Sequence, residues 1–291
     1  MSSELNIQWY PGHMTKARRM IGENIKLVDA VCEIIDARIP VSSRNPDLKE
    51  MIGDKPRLVI LNRTDQADPS ETKLWVAGLR KEESVLETDS KNGKGIAAFP
   101  TAVRTLLSEK IARYEAKGQI GRCLRVMVVG IPNVGKSSFI NRIARRKAAA
   151  TSDRPGVTRG KQWISIDSGL ELLDTPGVLW PKFQNQTLAE NLAYTGAIRD
   201  EIIDLRALAA SLMSRLCADY PQSIMDRYKV GCAQDASLSD TSVDGFKLLE
   251  QAAINRGFLK RGGEFDLDRM AVILLDEFRG GKLGRITLER Y

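Results

Sequence analysis

Gly130-Ile131-Pro132-Asn133-Val134-Gly135-Lys136-Ser137-Ser138 follows an apolar run, Leu124–Val129, and precedes a helix-like segment, Phe139–Ile143. Strand, glycine loop and helix with the spacing G-x-x-x-x-G-K-S form a phosphate-holding loop. The glycines let the backbone bend so that the N–H groups of Asn133, Val134, Gly135 and Ser138 converge on phosphate oxygens. Lys136 reaches the outer phosphates, and the Ser137 hydroxyl can ligate Mg2+. An ordinary glycine turn beside a lysine is the competing reading, and it does not require the correct flank on each side. Such a loop usually opens its domain, yet well over a hundred residues precede this one.

Downstream, the helix runs to about Arg146 and closes in the basic cluster Arg142, Arg145, Arg146 and Lys147. The Gly/Pro loop 151–160 contains Thr158, whose hydroxyl can close over a γ-phosphate and onto Mg2+. Strands at Gln162–Ile166 and Leu170–Leu173 flank a hairpin turn at Asp167-Ser168-Gly169. The second strand runs into Asp174-Thr175-Pro176-Gly177. Asp174 is placed to hold Mg2+ through water, and the Gly177 N–H to sense the γ-phosphate.

Upstream, the mostly apolar run at 30–36 suits a buried parallel strand, and 57–61 and 84–88 read as a second and a third strand. Helical patterns occupy 15–28, the stretch up to Ile52, 70–82 and, as one long helix, 96–117; Lys117–Gly121 reads as a linker. The second strand leads directly into Asn62-Arg63-Thr64-Asp65. A carboxylate there can accept two hydrogen bonds from the adjacent N1–H and 2-amino donors of guanine, a pair that adenine lacks. Alone, N-x-x-D is a common loop; its weight comes from sharing a chain with the phosphate loop. The third strand ends in Asp89-Ser90-Lys91-Asn92-Gly93, similar to a serine loop whose backbone N–H contacts the guanine 6-oxygen.

These motifs fit one pattern in an unusual order, since the guanine-reading pair precedes the phosphate loop. The chain resembles the circularly permuted GTPases. The flanking stretches Trp9-Tyr10-Pro11-Gly12-His13-Met14, Asp36-Ala37-Arg38-Ile39-Pro40, Asp174–Lys182 and Thr195-Gly196-Ala197-Ile198 resemble the bacterial ribosome-biogenesis GTPase A family. The resemblance implies an α/β, mostly parallel six-stranded GTPase domain over residues 1–182 and an all-helical, RNA-contacting domain over 183–291. It implies GTP and GDP as ligands, Mg2+ as cofactor, and the large ribosomal subunit precursor with its rRNA as partner, acting late in assembly. Because the chain after Gly177 leads out to residues 183–291, movement of that segment with nucleotide state could be transmitted there.

Two departures shape the expected mechanism. The family's N-K-x-D box is N-R-T-D here, so Arg63 would lay its stem and guanidinium across the base. Val178 follows D-T-P-G where many GTPases carry a water-orienting glutamine. By resemblance His13 takes that place when the subunit docks, so the implied catalytic set is His13, Lys136 and Thr158. Related GTPases that lack the glutamine often use an asparagine at the place of Asn133 to hold K+ between the α- and γ-phosphates, where it stabilises developing charge.

Net charge is +7, and it is uneven: residues 1–182 hold 30 Lys/Arg against 21 Asp/Glu, residues 183–291 hold 14 against 16. The basic surplus travels with the phosphate loop and leaves room for an RNA partner. A single histidine excludes a histidine-based metal cluster, and Cys32, Cys123, Cys217 and Cys232 show no C-x-x-C spacing, which reads as reduced thiols. With no membrane-length apolar run and no signal-peptide pattern, the expectation is a monomeric cytoplasmic protein. Residues 183–291 carry helical spacing over 188–192, 200–220, 245–255 and 266–278, and no catalytic constellation. Two functional readings stand: a subunit-activated GTPase, or a nucleotide-gated RNA-binding module whose hydrolysis is incidental. An ATP-using kinase is disfavoured by Asp65.

Overall fold

The computed structural model describes residues 12–150, 163–167, 169–175, 177, 185–232, 244–260 and 264–291, with 12–18 and 145–150 as backbone only. In chain order the first elements are α1 (Gly12–Ile25), β1 (Ala30–Asp36), α2 (Leu48–Ile52), β2 (Arg57–Asn62), α3 (Pro69–Leu79), β3 (Ser84–Glu87), α4 (Phe99–Leu106), α5 (Ser108–Ala116), β4 (Leu124–Val129), α6 (Lys136–Ala150), β5 (Trp163–Asp167) and β6 (Leu170–Asp174). Five helices follow: α7 (Gln186–Tyr194), α8 (Leu205–Asp219), α9 (Pro221–Tyr228), α10 (Gly245–Asn255) and α11 (Leu267–Arg279). The chain forms two compact units. One runs from α1 to β6 and adds Thr287–Tyr291; the other runs from α7 to Ile286.

The sheet order is β3-β2-β1-β4-β6-β5, all parallel except the β5 edge. The strand that carries the phosphate loop is fourth in sequence but lies inside the sheet, between β1 and β6. All seven residues of β1 are buried, which is why its pattern is continuous rather than alternating. On one face Ile21, Val28, Val31, Leu48, Ile52, Met127 and Val129 pack together; on the other, Ile35, Val59, Leu61, Ala67 and Val76 do. Each such aliphatic side chain contributes about 1.5–3 kcal/mol by leaving water. The charge inside β1, Glu33, is met by Arg44 at 3.1 Å and Arg57 at 3.4 Å.

The 96–117 segment is not one helix. A 3-10 turn at Ile96–Ala98 leads into α4, and the chain breaks at Leu107, which is buried and non-helical (φ −101°, ψ 13°) before α5. Pro100 sits in the first turn of α4, where its missing N–H costs nothing.

Thr287–Tyr291 departs from the expected boundary by packing onto the sheet unit. Leu288 N–H donates to the Arg38 carbonyl (2.8 Å), Asp68 N–H to Thr287 Oγ1 (3.0 Å) and Trp75 Nε1 to the Glu289 carbonyl (2.8 Å). The Glu289 carboxylate accepts from the Val41 and Ser42 amides and the Ser42 hydroxyl. Tyr291 stands edge-on to Trp75 at 5.1 Å, and Thr287 and Leu288 are buried.

In the helical unit, Asn185, Asp204, Asp244 and Asp266 each accept backbone N–H bonds at the start of α7, α8, α10 and α11. Each such cap contributes about 1 kcal/mol. Helix α9, absent from the sequence expectation, restarts at Pro221 directly after α8. This turn-back brings Cys217 and Cys232 together as a disulfide with a Cα–Cα distance of 5.2 Å, correcting the expectation of four reduced thiols. Cys32 and Cys123 are free. Glu277 ties three helices, accepting from Arg227 and the Tyr228 hydroxyl and facing Arg256 at 3.5 Å. No helix among the described residues is long and apolar enough to cross a membrane.

Candidate nucleotide site

The phosphate loop leaves the end of β4 with two glycines in the left-handed half of conformational space, Gly130 (φ 156°) and Gly135 (φ 93°). A Cβ on Gly130 would lie 2.5 Å from the Ile34 carbonyl, and one on Gly135 2.5 Å from Asn62 Nδ2. The loop is thus pressed against β1 on one side and the N-R-T-D loop on the other, so only glycine fits. Asn133 between them is also left-handed (φ 62°), a conformation asparagine tolerates better than most residues. Lys136 opens α6, and its ammonium donates to the Gly130 and Ile131 carbonyls at 3.1 and 2.8 Å. Burial pulls its pKa down to about 8, against the pull of Asp174. A phosphate would restore the ammonium's preference for charge.

The D-T-P-G segment reaches the same place. Thr175 Oγ1 donates to the Val128 carbonyl (2.6 Å), fixing the exit of β6 beside β4. A Cβ on Gly177 would stand 2.9 Å from Lys136 Nζ and from Pro132 N, so Gly177 faces the phosphate loop.

On the other flank a cavity of about 400 Å³ is lined by Arg63, Asp65, Ser90, Lys91, Gly135 and Arg142, among others. Asn62, 1% exposed, is its brace. Its Nδ2 donates to the Val134 carbonyl (2.8 Å), and its Oδ1 accepts from Thr88 Oγ1 (3.0 Å), Ser90 N–H (3.1 Å) and Ser90 Oγ (2.8 Å). One side chain therefore holds the phosphate loop and the serine loop in register. Thr64 closes the turn by donating N–H and Oγ1 to the Thr88 carbonyl. Arg63 (φ 61°) gives hydrogen bonds to the Asn133 carbonyl (2.8 Å) and Gln66 Oε1 (3.2 Å) and faces Asp36 at 3.6 Å. Burial alone would raise the Asp36 pKa, but Arg38, paired with it at 2.7 Å, and Arg63 hold it below the ordinary value.

Asp65 is half-buried, and its pKa is raised by burial and then by the charge of Asp89. A ligand that brings two N–H donors would stabilise its ionised form. Asp89 is spent on its own loop, accepting from Lys91 N–H, Asn92 N–H and Asn92 Nδ2. The backbone N–H groups of Ser90 and Lys91 thus go to Asn62 and Asp89, so these two residues and Asn62 shape the cavity through bonds within the protein.

A divalent ion fits this donor set in one way. Among the described residues no cluster of three or more His, Cys, Asp or Glu could hold a metal. The exposed Ser137 hydroxyl and Asp174 carboxylate are hard oxygen donors, the kind Mg2+ takes when phosphates and water supply the rest.

The structure brings Asn62, Arg63, Thr64, Asp65, Asp89, Ser90, Asn133–Ser138, Asp174 and Gly177 to the C-terminal ends of the parallel strands. Thr158 and Val178 lie outside the described residues, and His13 is described only as backbone in α1. Gln66 and Arg142 were not foreseen at the site. Arg142 donates to the Lys91 carbonyl (2.9 Å) and, with Ser138 and Asn141, lines the cavity. Its signal was the i, i+4 spacing from Ser138 on one helix face.

Residues 125–228 match the family model described as 50S ribosome-binding GTPase. The chain is 45% identical to Ribosome biogenesis GTPase A of Priestia megaterium, over 98% of this chain and 97% of that one. It is 44% identical to the protein of that name from Bacillus cereus, over 97% and 93%. Among solved structures it is similar to GNP-bound YlqF from T. maritima, with 28% identity, a TM-score of 0.63, and coverage of 94% of this chain and 98% of that one. A GDP-bound YlqF structure gives 27% identity and a TM-score of 0.60, covering 94% and 99%.

Proposed function

The chain belongs to the ribosome biogenesis GTPase A family and is a GTPase, and from that premise we propose that it hydrolyses GTP at a late step of large-subunit assembly, its slow basal turnover raised by docking on the subunit precursor. The observation that carries this reading is the meeting of the phosphate loop, N-R-T-D and D-T-P-G at one end of the sheet in a chain alike its relatives over nearly its whole length.

Asp65 reads guanine, Arg63 covers the base, and Asn62 with Thr64 and Ser90 keeps the cavity shaped. The amides of Asn133–Ser138 and the Lys136 ammonium hold the phosphates, and Gly177 donates toward the γ-phosphate. Mg2+ on Ser137 and Thr158, with Asp174 behind a water, would neutralise charge on the β- and γ-phosphates, and Asn133 would hold a K+. Water attacks the γ-phosphorus, the bond to the β–γ bridging oxygen breaks, and GDP leaves with phosphate. Lys136 stabilises the charge that gathers on the bridging oxygen. Val178 cannot orient the water, so that task falls to His13, supplied when rRNA of the subunit meets the N-terminal segment. The basic surplus of residues 1–182 supports an RNA-facing surface.

GTP turnover with and without large-subunit precursor particles, for the native chain and His13→Ala, tests this. Stimulated turnover that disappears in His13→Ala, with GTP affinity retained, is expected. Turnover indifferent to the particles would favour the nucleotide-gated RNA-binding module.

A further inference from the structure

At the opposite end of the sheet, where β1, β2 and β4 begin, lies a second cavity of about 450 Å³. Its walls carry five cationic side chains, Lys26, Lys55, Lys110, Arg122 and Arg125, and one carboxylate, Asp29. That carboxylate is already committed. It pairs with Lys110 (2.6 Å) and accepts from the Tyr114 hydroxyl (3.1 Å) and the Arg125 N–H (2.8 Å). Arg125 is engaged by Glu171 at 3.1 Å. Lys26, Lys55 and Arg122 carry no ion pair among the described residues, so the cavity keeps an uncompensated positive lining.

Two of the three cations without an ion pair, Lys55 and Arg122, are held in place by other contacts. Lys55 spends one of its three N–H donors on the Val28 carbonyl (2.6 Å), which fixes its ammonium at the rim. Burial and then the charge of Lys110 depress its pKa, the mark of a site that an anion would relieve. The Arg122 guanidinium lies over the Tyr114 ring at 4.3 Å and donates to Gln119 Oε1 at 2.9 Å, two contacts that hold it at the cavity. The nucleotide's own phosphates cannot be the ligand. The six residues of β2, at about 3.3 Å each, separate Lys55 from the Asn62 end by roughly 20 Å.

We propose that this cavity is a second phosphate-binding site, independent of the nucleotide, that takes phosphate groups from an RNA backbone or from a free polyphosphate. The RNA source rests on the ribosomal reading above; the phosphate chemistry does not.

The test uses the full chain saturated with GDP and Mg2+, so that the phosphate loop is filled, and the triple variant Lys26→Gln, Lys55→Gln, Arg122→Gln. Inorganic tripolyphosphate is titrated by calorimetry, and deproteinised large-subunit rRNA is bound over a salt series. The native chain should bind tripolyphosphate, and the variant about tenfold more weakly, while GDP affinity, the check on folding, is unchanged. The log–log salt slope for rRNA should fall by roughly 2 in the variant, the loss of about three phosphate contacts. Loss of tripolyphosphate binding with an unchanged rRNA slope would support the site and assign it to a free polyphosphate. A variant that keeps native GDP affinity and binds both probes like the native chain overturns the proposal. Absence of subunit-stimulated turnover in the native chain would strike the ribosomal reading and leave the tripolyphosphate result standing.

Discussion

The Arg63 guanidinium donates a 2.8 Å hydrogen bond to the Asn133 carbonyl across 70 residues of sequence, tying the base-reading loop to the phosphate loop. The same side chain faces Asp36, itself paired with the buried Arg38. Arg63→Ala removes the link and should weaken GTP and GDP to a similar degree, by about 10- to 100-fold if a charge-assisted bond of about 1.5–3 kcal/mol is lost. Arg63→Lys should retain part of it. Equilibrium binding of a fluorescent guanine nucleotide reads both, and an unchanged affinity in Arg63→Ala would separate the two loops.

The raised pKa of Asp65 sets a pH dependence. Guanine needs the carboxylate, and binding favours its ionised form, so the complex releases a proton wherever the free site holds one. GTP affinity should therefore fall on acidification, beginning above the ordinary value of 3.8, by up to about tenfold per pH unit. Folding stability responds in the opposite sense. A carboxyl whose folded pKa is raised favours the folded state more as pH falls through that range. Asp65→Asn should remove this part of the affinity profile; a native profile in Asp65→Asn would assign the dependence to another group.

The clasp formed by Thr287–Tyr291 should matter to the stability of the sheet unit. Leu288 is 3% exposed, so Leu288→Ala should cost about 2–4 kcal/mol. Denaturant unfolding measures the loss, and Trp75, edge-on to Tyr291, is the local fluorescent reporter. A change within about 0.5 kcal/mol, the size of an ordinary surface substitution, would mean that the tail lies on the domain without supporting it.

Thiol titration checks the Cys217–Cys232 link. The oxidised, unfolded chain should show two free thiols, Cys32 and Cys123, and four after reduction. In the folded chain Cys32 should react slowly, because complete burial pushes its thiol pKa up. Opening the 15-residue separation should lower stability by up to about 3 kcal/mol on a chain-entropy account. Four reactive thiols before reduction would remove the disulfide.

The strands and the phosphate loop were legible because each carries a local pattern: buried runs such as Ala30–Asp36, or glycines at fixed spacing before Lys136. The order of the motifs implied a permuted, mostly parallel six-stranded domain; that β4 lies inside the sheet although it is fourth in the chain came only with the fold. What stayed hidden depends on partners distant in sequence. Nothing near Leu288 marks it as a partner of Arg38, and nothing at the end of the 30–36 run marks Asp36 and Arg38 as a buried ion pair. Pro221 reads as a helix end, although its place in the first turn of α9 lets a new helix begin and return Cys232 to Cys217. Asn62 and Asp89 read as ligands; their bonds within the protein make them the framework of the cavity instead.

The central claim is that the permuted loops meet to build a guanine-selective site around Asp65. Competitive binding of GTP and ATP to the native chain and to Asp65→Ala tests it most directly. The account predicts that the native chain prefers GTP by at least about 100-fold, in line with sites that reject a base leaving buried polar groups unpaired, and that Asp65→Ala loses most of that preference while still holding phosphate through Lys136. Equal affinity for the two nucleotides in the native chain, or an undiminished preference in Asp65→Ala, would contradict it.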